Sequence, residues 1–410
     1  MPAGSRSNPS VRMSRPFEIS LSSHALCGAA CGLQVPERLA AIGLRRVGVI
    51  ADEVVLRQPP IQSLLHEWQS GGLEPVDVYA SRTGQEPDYD YLDEVAEHVR
   101  PLGLDAIIGI GGGSAMDLAK GVGVLLRNPG RGIAYRGMNL VGSPGAPVVL
   151  VPTVAGCGSE VSATASFIDR TSKTKLGING NHVACLFSVL DPTLLVTCPS
   201  SVMLGSGLDA LVHATEAVTA RTATPLSRFL GAEAVRLLCT ALPVAVSRPA
   251  DLGAQESLLM ASFYAGIAMT HAAGGPASGI SYPLGVHWNV PHGYAGGLLL
   301  PAVVAANVEK GYTEGYAYLQ DRLTSGAAAE MTEMTERAKA EIFRDALTDV
   351  YRKVGAPASF ERWNVYRGSV SELADLTVKQ RQANLDLNPV AFGRDDVVRI
   401  LETVLPAARA

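Results

Sequence analysis

The densest chemistry in the sequence lies in a run from Ile107 to Lys120, Ile-Ile-Gly-Ile-Gly-Gly-Gly-Ser-Ala-Met-Asp-Leu-Ala-Lys, an apolar strand that breaks at glycines and turns into a helix. Glycines let an anion approach the backbone, and the unpaired N–H groups of a helix start can hold it. Gly111, Gly112, Gly113, Ser114 and Asp117 are therefore candidates to bind the diphosphate of a dinucleotide. Ser114 and Asp117 have the S-x-x-D spacing of a capping box, which predicts that Ser114 caps the helix. The same run also reads as a plain tight turn with a good cap, and no Lys-Ser or Lys-Thr follows to make a P-loop. Asp52 ends an earlier apolar run, where its carboxylate can accept from adenine-ribose hydroxyls and select NAD over NADP, although it precedes the glycines instead of following them. A second glycine turn, Pro152 to Glu160, adds Thr153 and further N–H donors, and Lys175, a short distance on, is a further cofactor-binding candidate. Asp209 and His213 are four residues apart, so on a helix they share a face and either converge on one ion or simply bond each other. His271, His287 and His292 fall between Glu256 and Glu309, a stretch with no Asp, Glu, Lys or Arg, where a polar side chain must be satisfied or functional.

These residues need a frame. Arg46–Ala51, Pro75–Tyr79, Ala106–Ile110 and Val148–Val151 read as buried strands, with helices at Ile61–Ser70 and Tyr91–Val99 between them. The alternation predicts a mostly parallel, doubly wound α/β layer over about the first 195 residues. After Pro199 the apolar residues of Leu226–Leu242, Gln255–Met269 and Ala338–Lys353 recur with helical spacing, predicting an all-α second half. The expected division is a flexible tail at 1–16, an α/β dinucleotide-binding domain at 17–197 and a helical substrate and metal-site domain at 198–410.

Composition narrows the function classes. Of 410 residues 47% are hydrophobic and 18% charged, which excludes bulk disorder and supplies a large core. A net charge of −5 leaves no basic surplus for nucleic acid. Six cysteines without a CxxC pair predict neither a disulfide framework nor a zinc ribbon, and a reducing cytoplasm is expected. No apolar core follows the Ser-, Pro- and Arg-rich start, so no signal peptide is expected there. Gly, Pro, Ser and His interrupt the uncharged stretch, which predicts buried interior and no membrane span.

Gly111-Gly-Gly-Ser-Ala-Met-Asp-Leu-Ala-Lys120, Pro152-Thr to Gly158-Ser-Glu160, Asp191-Pro192, Gly207-Leu-Asp-Ala-Leu-Val-His-Ala214, Tyr282-Pro-Leu-Gly285 and Pro291-His-Gly293 follow one another in the order found in the iron-containing (group III) alcohol dehydrogenases, whose fold is dehydroquinate synthase-like. From about Gly32 to Pro389 the chain resembles that family. The resemblance implies a cleft between the two domains that holds a nicotinamide and a divalent metal bound by one Asp and three His. Asp209, His213 and His292 match three of those ligands. An ungapped count puts Ser278 at the fourth, and Tyr282 where many members carry a proton-relaying His beside the nicotinamide. Two consequences stay open. Three ligands can still hold Fe²⁺ or Zn²⁺ weakly, with His287 or His271 swinging in. Alternatively the metal is absent, and His213, His292 and Tyr282 donate hydrogen bonds to the substrate oxygen, as in a metal-free member resembling maleylacetate reductase. The implied activity is NAD(H)-dependent hydride transfer to or from a small aldehyde, ketone or alcohol, with His213, Tyr282 and His292 catalytic and a homodimer as the assembly. Reduction of a conjugated C=C, a lyase or cyclase reaction using NAD transiently, and a non-catalytic nucleotide-binding role are the alternatives.

Overall fold

The structure is a computed structural model that describes residues 16–19, 21, 24–324 and 334–407. Apart from Pro16, the tail expected at 1–16 lies outside the described residues. Six strands, β1 (Ala25–Cys27), β2 (Arg46–Asp52), β3 (Glu74–Ser81), β4 (Ala106–Gly111), β5 (Val148–Pro152) and β6 (Phe187–Leu190), form one sheet in the order β1-β6-β5-β4-β2-β3. Every neighbouring pair is parallel. β4 and β5 are buried along their whole length, as apolar runs covered on both faces must be. The connecting helices are α1 (Val35–Ala40), α2 (Glu53–Leu56), α3 (Pro59–Ser70), α4 (Tyr89–Val99) and α5 (Gly113–Arg127). Two of the strands, β1 and β6, have no counterpart in the sequence reading, because three and four residues are too few to show a period.

From Ser200 onward the described elements are helical: α6 (Ser200–Thr219), α7 (Pro225–Ser247), α8 (Leu252–Thr270), α9 (Pro276–Trp288), α10 (His292–Gly297), α11 (Leu300–Glu309), α12 (Glu314–Leu323), α13 (Glu336–Lys353), α14 (Val370–Asp386) and α15 (Arg394–Val404), with two short 3₁₀ turns among them. By length and hydropathy α7 could cross a membrane, but it packs along α6 and α8 and buries Val235, Leu238 and Leu242. The uncharged stretch forms the end of α8, α9, α10 and most of α11, and lies largely in the core.

From β2 the chain runs to β3 on one side and returns to β4 on the other, so the order reverses between β2 and β4. In open parallel sheets a crevice opens at the carboxyl ends of the strands at such a switch point. The registers Ala51↔Ile110 and Gly111↔Pro152 bring Asp52, the glycine turn and Thr153 to that edge. Two glycines set how closely the layers meet there. A Cβ at Gly109 would lie 2.7 Å from that of Ala119, so the strand's glycine lets α5 settle on β4. A Cβ at Gly293 would lie 2.1 Å from the Gly205 carbonyl oxygen, so α10 reaches α6 only without a side chain there. Gly293→Ala should accordingly cost about 3 kcal/mol of stability, the upper end for overpacking, visible as a lowered thermal midpoint. An unchanged midpoint would show that α10 is free to shift.

Candidate active site

The glycine turn departs from its expected cap. The helix α5 starts at Gly113, with Gly112 as an extended N-cap residue and no side-chain cap bond, so Ser114 lies inside the first turn and exposed. Asp117 is not part of a capping box: one oxygen accepts from the Ser159 hydroxyl at 2.5 Å, the other from the Ser166 N–H at 2.9 Å, and Lys120 Nζ stands 3.2 Å away. The physical consequence is an α5 N-terminus whose first N–H groups are not consumed by a side chain. Gly111 has φ +144°, a conformation that glycine adopts freely, and a Cβ there would meet Ala115 at 3.0 Å. Beside it the Thr153 N–H donates to the Gly111 carbonyl, while the Thr153 hydroxyl is buried without a hydrogen-bond partner. Asp52 lines the same turn, its Cβ 3.5 Å from where a Gly111 Cβ would stand. One Asp52 oxygen caps α2 through the Val54 and Val55 N–H groups and accepts from Thr83. The open helix end, the bare glycine backbone and the orphaned Thr153 hydroxyl fit a diphosphate group.

The second glycine turn is a bridge. Gly156 lies where a Cβ would be 2.3 Å from the Ser206 carbonyl of α6, and Gly158, at φ +68°, where one would be 2.7 Å from Gly266 of α8. Its glycines thus serve close packing more than anion binding, a use that the sequence reading did not foresee. Cys157 between them touches the first turn, with Sγ 3.0 Å from the Cβ site of Gly113. One turn beyond Ser206 on α6 comes Asp209, so the two candidate sites are joined by a short run of contacts.

Asp209 and His213 share a face of α6, with His213 Nε2 3.5 Å from Asp209 Oδ1. His292 begins α10 and brings its Nε2 to 3.9 Å from the same oxygen. One donor atom from each of the three residues lies within 4.8 Å of the others, a two-histidine, one-carboxylate set of the kind that binds divalent iron with positions left open. Burial, then the charge of Lys175, holds the His292 imidazole below its usual range against the opposing pull of Asp209, keeping it neutral and able to ligate. Its Nδ1 lies 3.3 Å from the Ser281 hydroxyl. His213 Nδ1, by contrast, is buried with no hydrogen-bond partner, so one ring lacks the outer contact that normally orients a metal-bound imidazole.

Ser278 is turned away from a ligand role. Its hydroxyl donates to Glu216 at 2.5 Å, and the N–H groups of Gly275 and Ala277 donate to the same carboxylate at 2.7 Å each. Glu216 therefore caps the start of α9 from α6. Burial pushes its pKa up against these bonds. Neither of the spare histidines joins the cluster: His271 ends α8 with Nδ1 2.9 Å from its own Ile267 carbonyl, and His287 lies in the last turn of α9 beside Trp288.

Tyr282, Lys175, Glu86 and Arg381 form a chain of contacts that reaches the cluster through Tyr282. The Tyr282 ring meets His292 edge-on at 5.2 Å between centroids. Lys175, held by a short antiparallel pairing of Ile168–Asp169 with Thr174–Lys175, puts Nζ 5.8 Å from the Tyr282 ring and 2.5 Å from Glu86. Burial works against both charges of that pair, yet their mutual attraction prevails: the lysine is shifted up and the glutamate down. Glu86 and Arg381 carried no signal in the sequence, one in a loop and the other in a late helix. Glu216 did, three residues beyond His213 on the same helix face.

The Iron-containing alcohol dehydrogenase family matches residues 22–192, and the Fe-containing alcohol dehydrogenase family, C-terminal, matches residues 203–405. Among characterised relatives, the NAD-dependent methanol dehydrogenase of Bacillus methanolicus is 27% identical over 93% of this chain and 98% of its own. The sulfoacetaldehyde reductase of Bilophila wadsworthia is 30% identical over 88% of this chain and 89% of its own. The crystal structure of a 1,3-propanediol oxidoreductase superposes with a TM-score of 0.87 at 26% identity, covering 95% of this chain and 99% of that one. On this evidence the chain belongs to the iron-containing alcohol dehydrogenase family.

Proposed function

We propose that the protein transfers a hydride between NAD(H) and a small aldehyde, ketone or alcohol. The observation that carries this reading is the uncapped glycine turn joined, through the second turn, to the Asp209, His213 and His292 cluster. The nicotinamide dependence and small carbonyl or alcohol substrates named for the relatives support it.

Gly111, Gly112, Gly113, the Thr153 hydroxyl and the α5 N-terminus bind and orient the dinucleotide diphosphate, and Asp52 accepts from its ribose. Asp209, His213 and His292 are the residues that would hold a divalent ion. When bound, the dinucleotide supplies or accepts the hydride and the ion supplies Lewis acidity at the carbonyl oxygen. Three donors, one without an outer partner, predict weaker metal retention than four. In this reading Tyr282 donates a proton to the oxygen as charge develops on it, a role supported by its ring contact with His292 and by Lys175 Nζ 5.8 Å from the same ring.

The cofactor half is tested at Asp52. A carboxylate at the ribose repels a 2′-phosphate, so wild type should favour NADH over NADPH, and Asp52→Gly should lower that preference on the order of 10-fold or more. The lost α2 cap costs about 1 kcal/mol of stability, which a thermal melt separates from the kinetic effect. Equal kcat/KM with the two cofactors in wild type would contradict the assignment.

A further inference from the structure

Arg381 is a half-buried cation without an acid. It sits at a kink in α14, with φ −136° and ψ 25° inside an otherwise helical run, and its guanidinium lies 3.6 Å over the Tyr282 ring. One Nη2 hydrogen bond goes to the Lys175 carbonyl. Nε is buried and has no hydrogen-bond partner, and among the described residues no carboxylate pairs with the guanidinium. The nearby charges do not compensate it: Lys175 is matched by Glu86 at 2.5 Å and Arg136 by Asp169 at 2.6 Å. Burial pulls the Arg381 pKa down, against the opposing pull of Tyr282 and with a smaller push from the neighbouring Arg136.

An unsatisfied buried N–H on a charged group costs stability and is kept only where something pays it back. The planar fork of a guanidinium fits carboxylate-like and phosphate-like oxygens in pairs. Tyr282 is the common neighbour of Arg381 and His292, so an anion on the guanidinium and a carbonyl at the histidine cluster are one phenol ring apart. Glu86 does not repel an anion there, because Lys175 neutralises it.

We propose that Arg381 is a specificity-determining residue that binds an anionic group on the substrate, making the preferred substrates short carbonyl compounds or alcohols with a carboxylate, sulfonate or phosphate a few atoms from the reacting carbon. This rests on the hydride-transfer reading above. The chemistry is the same for all three anions, and a panel of matched aldehydes ranks them.

The test uses the whole enzyme with NADH. Succinic semialdehyde should give a kcat/KM about 30-fold or more above its neutral methyl ester, carried mainly by KM. In Arg381→Gln that ratio should collapse towards one, and Arg381→Lys, which restores the charge without the fork, should recover part of it. Should the glutamine variant fail to fold, wild type still decides: succinate should bind the enzyme–NADH complex competitively with aldehyde, and succinamide should not. A neutral aldehyde used as well as its anionic partner, or succinate that fails to bind, would overturn the proposal while leaving hydride transfer standing. So would a glutamine variant that weakens NADH binding as much as succinate binding, which would assign Arg381 to the cofactor. Turnover of neither aldehyde would sink the hydride-transfer reading instead, and succinate binding would then judge Arg381 by itself.

Discussion

Tyr282→Phe is expected to lower kcat by about 100-fold or more at saturating substrate and cofactor, the loss typical of removing a positioned proton donor. The substitution is informative because of what surrounds the ring. Arg381 lies 3.6 Å over one face and His292 meets it at 5.2 Å, and phenylalanine keeps the volume, the ring and the stacking while removing only the hydroxyl. A fall in kcat with NADH binding held then reports the proton and not the packing. A loss under about threefold would make Tyr282 a platform for Arg381 and leave a histidine or bound water as the proton source.

Ser278→His should raise metal affinity on the order of 10- to 100-fold, measured as iron or zinc retained after dialysis against a chelator. Two observations support the direction. The present cluster offers three donor atoms within 4.8 Å, and Ser278 faces α6 three residues beyond His213 through its bond to Glu216. Glu216 could then accept from the second nitrogen of the introduced imidazole, the outer contact that His213 lacks. Losing the serine hydroxyl costs about 1 kcal/mol, which a melt should register. Retention equal to wild type would mean that α9 is set in another register and that Ser278 does not stand where the fourth ligand does.

The strands that carry the site were readable because they are long, apolar and punctuated by glycine: β2, β4 and β5 each end at a residue singled out from sequence. The i,i+4 spacing of Asp209 and His213 identified a shared helix face, and adjacent motifs brought His292 within range. What stayed hidden depended on distance along the chain. Glu86 and Arg381 are 89 and 206 residues from Lys175, and no local pattern ties either to it. Ser114 with Asp117 misled for a different reason. The spacing was that of a cap, but tertiary partners at Ser159 and Ser166 took the carboxylate, and the uncapped helix that results suits an anion better.

Hydride transfer at the joined glycine-turn and histidine sites is tested most directly by NADH carrying deuterium at both C4 positions. A short aldehyde is incubated with wild type and with an Asp209→Ala, His292→Ala double variant, and the alcohol is analysed by mass spectrometry. Wild type should place the deuterium on the carbinol carbon in step with NADH consumed, and the double variant should lose at least 10³-fold in rate while still binding NADH. Alcohol formed without deuterium, NADH held without net turnover, or a double variant as fast as wild type would contradict it.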